Sequence, residues 1–98
     1  MPENRDIECA AGQYTLLTSN DVAALRALNR GVHAVDLVAT VDASEPLSRA
    51  GSVRLTPGAL LLPDVTLALL WPGVPEAVRV WAFVPDHIGA VTISVSHE

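Results

Sequence analysis

Turn-forming residues divide this 98-residue chain into many short segments. Its seven prolines and six glycines are spread along the whole sequence, and the runs between them are rich in valine, leucine, isoleucine and threonine. Strand-like runs separated by turn signals about every eight to twelve residues are typical of all-β domains. The pattern therefore predicts a mostly β fold: a small antiparallel β-sandwich or barrel of about six to seven short strands with at most one short helix.

The strongest strand signals lie in the last third of the chain. Residues 78–84 (VRVWAFV) and 90–96 (AVTISVS) flank a turn containing Pro85 and Gly89, and we expect them to form a β-hairpin. In the second arm, apolar and hydroxyl side chains occupy alternate positions, with Val91, Ile93 and Val95 between Thr92, Ser94 and Ser96. A period of two predicts a strand with one buried face and one solvated face.

Earlier segments are less uniform. Residues 13–18 predict a strand, with a shorter one before it through residues 7–10, whereas residues 22–28 could form either a helix or a strand. The tight turn at residues 29–31 and the strand-like residues 32–41 beyond it favour a hairpin that joins 22–28 to 32–41.

The middle of the chain predicts a strand and a helical turn. Residues 51–58 (GSVRLTPG) indicate a short strand closed by a Pro57-Gly58 turn, with Val53 and Leu55 on one face and Arg54 on the other. Residues 63–73 could add one or two helical turns that end at Pro72-Gly73. Residues 42–50 form a polar loop. We expect residues 1–6 to be a flexible start and residues 7–98 to be a single β domain.

Charge and cysteine content narrow the class of protein. The net charge is −5 and every basic residue is an arginine, without a basic cluster, so we expect no nucleic-acid partner. Cys9 is the only cysteine, which rules out an intrachain disulfide and suggests a reducing compartment.

The first residues do not resemble a signal peptide, and the longest apolar stretch is too short to span a bilayer. We therefore expect a soluble product of the cytoplasm with no membrane partner.

Side chains that could carry chemistry are scattered. His33, His87 and His97 show no metal-ligand spacing, and a zinc site needs about four convergent ligands. Cys9 lies in a short apolar segment near one end, a poor setting for a nucleophile with a histidine base. Glycine-rich phosphate loops and G-x-S-x-G are absent from the sequence. We expect no catalysis, no metal and no cofactor.

The chain is unusually apolar for its size. Half of its residues are hydrophobic and the mean hydropathy is +0.36, although a domain this small buries only about 60% of the surface that its unfolded chain exposes. An apolar block in the middle can either fill the domain's own core or form a subunit interface with Trp71 as the anchor. The candidate interface residues are Leu60, Leu61, Leu62, Val65, Leu67, Leu70 and Trp71. On this basis Trp71→Ala should disturb assembly and Trp81→Ala should disturb folding.

Several segments resemble those of a known group of proteins. They are an early strand that leads into Asn29-Arg30, the pattern G-x-x-R-L-x-P-G at residues 51–58, and the terminal V-S-H at residues 95–97. In this order they resemble small virion proteins of tailed bacteriophages and gene transfer agents, and the likeness covers most of the chain. Glu98 departs from the small last residue of that pattern.

The resemblance implies a β-sandwich protein of the capsid surface, of the decoration, cement or head-spike-base type. Such a protein would be assembled in the host cytoplasm and located on the virion, where it would self-associate, we expect as a trimer, and bind the major capsid protein. One alternative is a tail or head-to-tail connector subunit, which would favour sixfold rings. Another, from a different class, is a β-barrel that binds a small molecule in an apolar cavity with a few polar groups.

Overall fold

Eight strands and one helical turn make up the regular structure of the described part of the chain. The computed structural model describes residues 3–18, 21–42, 44–46, 51–61, 66–85 and 89–97. The elements are β1 (Glu3–Cys9), β2 (Tyr14–Leu16), β3 (Arg26–Asn29), β4 (Val35–Thr40), β5 (Val53–Leu55), β6 (Leu60–Leu61), α1 (Leu67–Leu70), β7 (Arg79–Phe83) and β8 (Val91–His97). The mostly β fold with one short helix is confirmed, with one or two more strands than expected.

The strands form two four-stranded antiparallel sheets. Sheet I has the order β1-β8-β3-β6 and sheet II the order β2-β7-β4-β5. The antiparallel pairs β1–β8, β2–β7, β3–β6 and β4–β5 are nested, so the chain runs as one long ribbon folded back on itself. Eight strands in these two orders have the jelly-roll topology. Because the sheets stay separate, the fold is the sandwich rather than the barrel.

Both expected hairpins are wrong in their pairing, although their strands exist. β7 lies between β2 and β4 in sheet II, whereas β8 lies between β1 and β3 in sheet I. Likewise β3 and β4 belong to different sheets. In a sandwich, a short connection can cross from one layer to the other, and both strands still turn an apolar face to the shared core. Turn residues and the alternation of apolar and polar side chains therefore do not distinguish a hairpin within one sheet from a connection that crosses between the two sheets.

Residues 22–28 adopt the strand alternative over only part of their length. β3 begins at Arg26, and the preceding residues form an extended connection in which Val22 and Leu25 are buried. The backbone N–H of Val22 donates to the carbonyl of Val78 at 2.9 Å. Burial of alternate residues from Leu25 to Asn29 outweighs the helical preference of the alanines and leucines.

The chain is already regular at Glu3, where residues 1–6 had been expected to be flexible. β1 pairs with β8 along its whole length, from Glu3 opposite His97 to Cys9 opposite Val91. Its polar residues are held on the outside of sheet I: the Ser94 hydroxyl donates to Asp6 Oδ1 at 2.5 Å, and the Ser96 hydroxyl donates to Asn4 Oδ1. These contacts explain how so polar a segment joins a sheet.

The core fills the space between the sheets. Val91, Ile93 and Val95 are buried as the alternation predicts. They meet inward residues of sheet II such as Leu37 and Ala82. The shortest dimension of the molecule, 19 Å, matches two sheets about 10 Å apart with side chains on both outer faces.

The predicted β5 strand, its turn and the helical turn are also present. Leu55 faces the core and Arg54 faces solvent, and the turn after β5 closes through a 2.9 Å hydrogen bond from Ala59 N–H to the Thr56 carbonyl. Gly58 is the third residue of this turn and has a φ of +77°, the positive value that a type II turn requires at that position. In the described part of the chain, no helix is long and apolar enough to cross a membrane.

Candidate functional site

The described residues of the apolar block do not form one surface. Leu67 and Trp71 belong to the core, with 1% and 5% of their surfaces exposed. Leu61 and Leu70 pack against the core's margin, and Leu60 on edge strand β6 is half exposed. Leu62 and Val65 lie outside the described residues. For Leu67 and Trp71, the structure therefore shows the core alternative.

A different apolar surface covers the outside of sheet II. Strand β7 turns the smaller side chains of Val80 and Ala82 inward and the larger ones of Trp81 and Phe83 outward. Cross-strand register places Tyr14 opposite Phe83, and Trp81 between Leu16 and Val38. We call this surface the aromatic face; it consists of the part-buried Tyr14, Leu16, Trp81 and Phe83 together with Val38, which is 7% exposed.

The aromatic face holds three of the chain's four aromatic residues. The rings of Tyr14 and Phe83 lie 4.9 Å apart, centroid to centroid, at an interplanar angle of 56°, a favourable tilted arrangement. Both rings and Trp81 are part-buried against their neighbours. Most aromatic side chains of this protein thus lie on a surface rather than in the core. Trp71 is the exception, because it lies in the core.

Polar and charged groups border the aromatic face. The indole N–H of Trp81 donates to Thr40 Oγ1 at 3.1 Å, which fixes the ring at the end of β4. Asp36 and Arg54 form an ion pair of 3.5 Å towards the β5 edge. An apolar centre with a polar border is the usual anatomy of a protein interface.

The outside of sheet I has the opposite character. There Asn4, Asp6, Ser94 and Ser96 form the hydrogen bonds described above, and Arg30 Nη1 lies 3.4 Å from Asp6 Oδ2. These groups satisfy one another and remain accessible to water. The two broad faces of the sandwich therefore differ: one carries polar side chains that bond to one another, and the other is mainly apolar.

Cys9 has the environment of a structural thiol. Its side chain is fully buried, and burial raises the pKa of the thiol to about 11, opposed in part by a hydrogen bond with Thr15. A nucleophilic cysteine needs a thiolate near neutral pH. The buried thiol stays protonated there, so the nucleophile alternative has no support.

The two described histidines lie on different parts of the fold. His33 is exposed in the connection from β3 to β4, and His97 is buried at the end of β8; His87 lies outside the described residues. Across the described ranges, no group of three or more histidine, cysteine, aspartate and glutamate side chains is placed to hold a metal ion.

Comparison with known proteins adds no relative. No family model, no curated protein and no solved structure matches the chain. The surface of the molecule itself therefore has to carry the functional argument.

Sequence reasoning missed the aromatic face although a signal for it was present. In residues 78–84 the large side chains of Trp81 and Phe83 alternate with the small ones of Val80 and Ala82. A half-solvated strand alternates apolar with polar residues, whereas this one is apolar on both faces and differs only in side-chain size. That pattern indicates a strand whose second face also needs a partner.

Proposed function

We propose that the protein is a virion structural subunit that decorates or cements the capsid of a tailed bacteriophage or gene transfer agent by binding major capsid subunits. The observation that carries the binding role is the aromatic face, where Tyr14, Trp81 and Phe83 lie on the outside of sheet II. Support for the capsid as partner comes from the segment resemblance and from the jelly-roll topology, which viral capsid domains share with lectins and cupins.

The dimensions of the molecule fit such a role. A stable interface buries about 800 Å² per partner. The broad side of the sandwich measures 32 by 27 Å, or roughly 860 Å² in outline. One interface of the usual size would therefore cover nearly all of that side. Aromatic side chains dominate the binding energy of such contacts. One copy can thus make one full contact through the aromatic face.

Self-association then uses the narrow sides. In a trimer each copy meets two neighbours around an axis, which leaves the broad aromatic face free for the capsid. Leu60 is half exposed on β6, opposite Leu28, and offers an apolar contact at that edge of sheet I. Repetition over a shell multiplies modest contacts into firm attachment.

The test uses a matched pair of substitutions on the two broad faces. Leu16 lies on the aromatic face and Leu28 on the outer face of sheet I, and both are part-buried. Co-sedimentation of the purified protein with empty phage capsids should fall at least about tenfold for Leu16→Ser and less than about twofold for Leu28→Ser, as expected if a few residues carry the binding.

The proposal fails if the wild-type protein does not bind capsids or if both variants lose binding equally. Size-exclusion chromatography with light scattering gives the oligomeric state in the same experiment. A sixfold ring would instead favour the connector alternative.

A further inference from the structure

We propose a second docking site, an end groove that takes a short peptide segment combining aliphatic and lysine or arginine side chains. The groove lies at the end of the sandwich where the β2–β3 connection meets α1 and the segment before β7, and its volume is about 620 Å³. Its walls include Val22, Ala23, Ala68 and Pro75. Its lining shares no residue with the aromatic face, so the inference does not depend on the proposed function.

The walls of the end groove are fixed in position by the fold. The N–H of Val22 donates to the Val78 carbonyl at 2.9 Å, and the N–H of Leu67 donates to the Ala23 carbonyl at 2.8 Å. These two bonds tie the β2–β3 connection to both other walls. A groove that exists before its partner arrives avoids an ordering cost on binding.

The lining is mainly small and aliphatic, which suits an apolar side chain. The groove opens to solvent along one side and begins beside α1, where Leu69 is 72% exposed. Leu69 is not part of the lining, but it follows the lining residue Ala68 in α1 and offers exposed apolar surface to a partner longer than a small molecule. This continuity favours a chain lying across the end of the sandwich.

The charged residues that line the end groove determine which charge a partner must have. Asp21 and Glu76 both line the groove. Arg79 Nε pairs with Asp21 Oδ1 at 2.9 Å, but 70% of the Asp21 side chain remains exposed and can accept a second cation. Among the described residues that line the groove, Glu76 has no cationic partner, and the whole chain carries −5. A basic segment therefore complements the groove, and an acidic one is repelled.

The probe is an acetylated hexapeptide in which leucine and lysine alternate, and its charge-reversed counterpart alternates leucine and glutamate. Titrated into ¹⁵N-labelled protein, the lysine peptide should shift the amide signals of Ala23, Ala68 and Ala77, and the glutamate peptide should not. Glu76→Lys should weaken binding of the lysine peptide at least about fivefold.

Glu8→Lys makes the same change of charge on exposed strand β1 of sheet I. It should weaken binding less than about twofold, because Glu8 lies opposite Thr92 in sheet I and is not part of the groove lining. Glu76→Gln repeats the test with a smaller change. Thermal melts confirm that the variants fold.

Three results would overturn the inference: no shift at the groove amides, equal binding of both peptides, or equal weakening by Glu8→Lys. Binding of leucinamide as tightly as the hexapeptide would also overturn it, in favour of a small-molecule site. Capsid co-sedimentation of Glu76→Lys separates this site from the aromatic face, because the two tests can fail independently.

Discussion

Asn29 is a buried polar residue that joins the two sheets. It lies in β3 of sheet I, and its side-chain Nδ2 donates to the carbonyls of His33 at 2.8 Å and of Leu55 at 2.9 Å, the latter at the end of β5 in sheet II. Its Oδ1 accepts from the N–H of Gly31 at 2.9 Å. The side chain thus satisfies three backbone groups that would otherwise be left without partners.

The side-chain NH2 group of Asn29 should be essential for the stability of the fold. Asn29→Asp keeps the shape but turns a donating amide into a carboxylate facing two carbonyl oxygens, and we expect a loss of about 3 kcal/mol or more in the free energy of unfolding. Urea denaturation measures it. Asn4→Asp, an exposed change of the same kind, should stay within about 0.5 kcal/mol. Similar losses in both variants would contradict the role given to the amide.

Two turns predicted from the sequence pack against each other around Asn29. A Cβ on Gly31 would lie 2.6 Å from Val91 Cγ1, so this position has no room for a side chain without displacement of β8. Gly58 N–H donates to the Asn29 carbonyl at 2.9 Å. The Asn29-Arg30 turn and the Pro57-Gly58 turn therefore meet at one end of the sandwich.

Cys9 should make stability depend on pH in the alkaline range. The pKa of its thiol rises from 9.0 to about 11 in the folded protein because the thiol is buried. The neutral form is favoured by folding, so this contribution is complete below pH 9 and is lost as the pH rises towards about 11.

Urea unfolding of the wild type and of Cys9→Ala at pH 8, 9, 10 and 11 measures the effect. The wild type should lose stability more steeply than Cys9→Ala above pH 9, because only the wild type must keep a thiol neutral. Parallel pH profiles would show that the thiol does not titrate differently in the folded state.

At the scale of elements, α1 depends on packing rather than on helical propensity. It has four residues, and no side chain caps its start at Thr66. An isolated helix this short is not stable in water. Leu67, which is buried, and Trp71, which follows the helix in the core, therefore hold it in place.

Two leucines in α1 give a matched test. Leu67→Ala should cost about 2 to 5 kcal/mol because it leaves a cavity in the core. Leu69→Ala removes the same atoms from an exposed position and should change stability by less than about 0.5 kcal/mol. Thermal or urea unfolding of both variants measures the difference. Equal costs would mean that Leu69 is covered in solution, as it would be in an oligomer.

Most strands were predictable because alternation and turn chemistry are local. β8 shows this best: its buried and half-buried residues alternate along the whole strand, as the sequence indicates. β1 was harder, because its polar side chains at Asn4, Asp6 and Glu8 hide the inward positions of Ile7 and Cys9. Which strands pair with each other depends on contacts between residues far apart in sequence. For this reason both predicted hairpins have the wrong pairing.

The site was less predictable than the strands. The leucine-rich block drew attention because apolar residues cluster there in sequence, yet Leu67 and Trp71 are core residues. The aromatic face is assembled from β2, β4 and β7, which are distant in sequence. Only the register brings Tyr14 opposite Phe83. As a result we now expect Trp71→Ala to destabilise the fold and Trp81→Ala to weaken association.

At the scale of the whole molecule, the nested strand pairs set the order of folding. Closing β4 on β5 spans residues 41–52, whereas closing β1 on β8 spans residues 10–90, a loop roughly seven times longer, which costs about 1.7 kcal/mol more in chain entropy. Once the inner pair has formed, each outer pair closes only a short additional length. The ribbon should therefore close from β4–β5 outwards, with β1–β8 last.

This order predicts which substitutions change the folding rate. Val35→Ala in β4 and Val95→Ala in β8 remove the same atoms from buried positions. Val35→Ala should mainly slow folding, whereas Val95→Ala should mainly speed unfolding, because its contacts form after the transition state. Stopped-flow chevrons in urea measure both rates, and the wild type should fold in milliseconds to seconds, as β-sandwiches with long-range pairing do. If Val95→Ala slowed folding as much as Val35→Ala, the outer strands would already be paired in the transition state, and the inside-out order would be refuted.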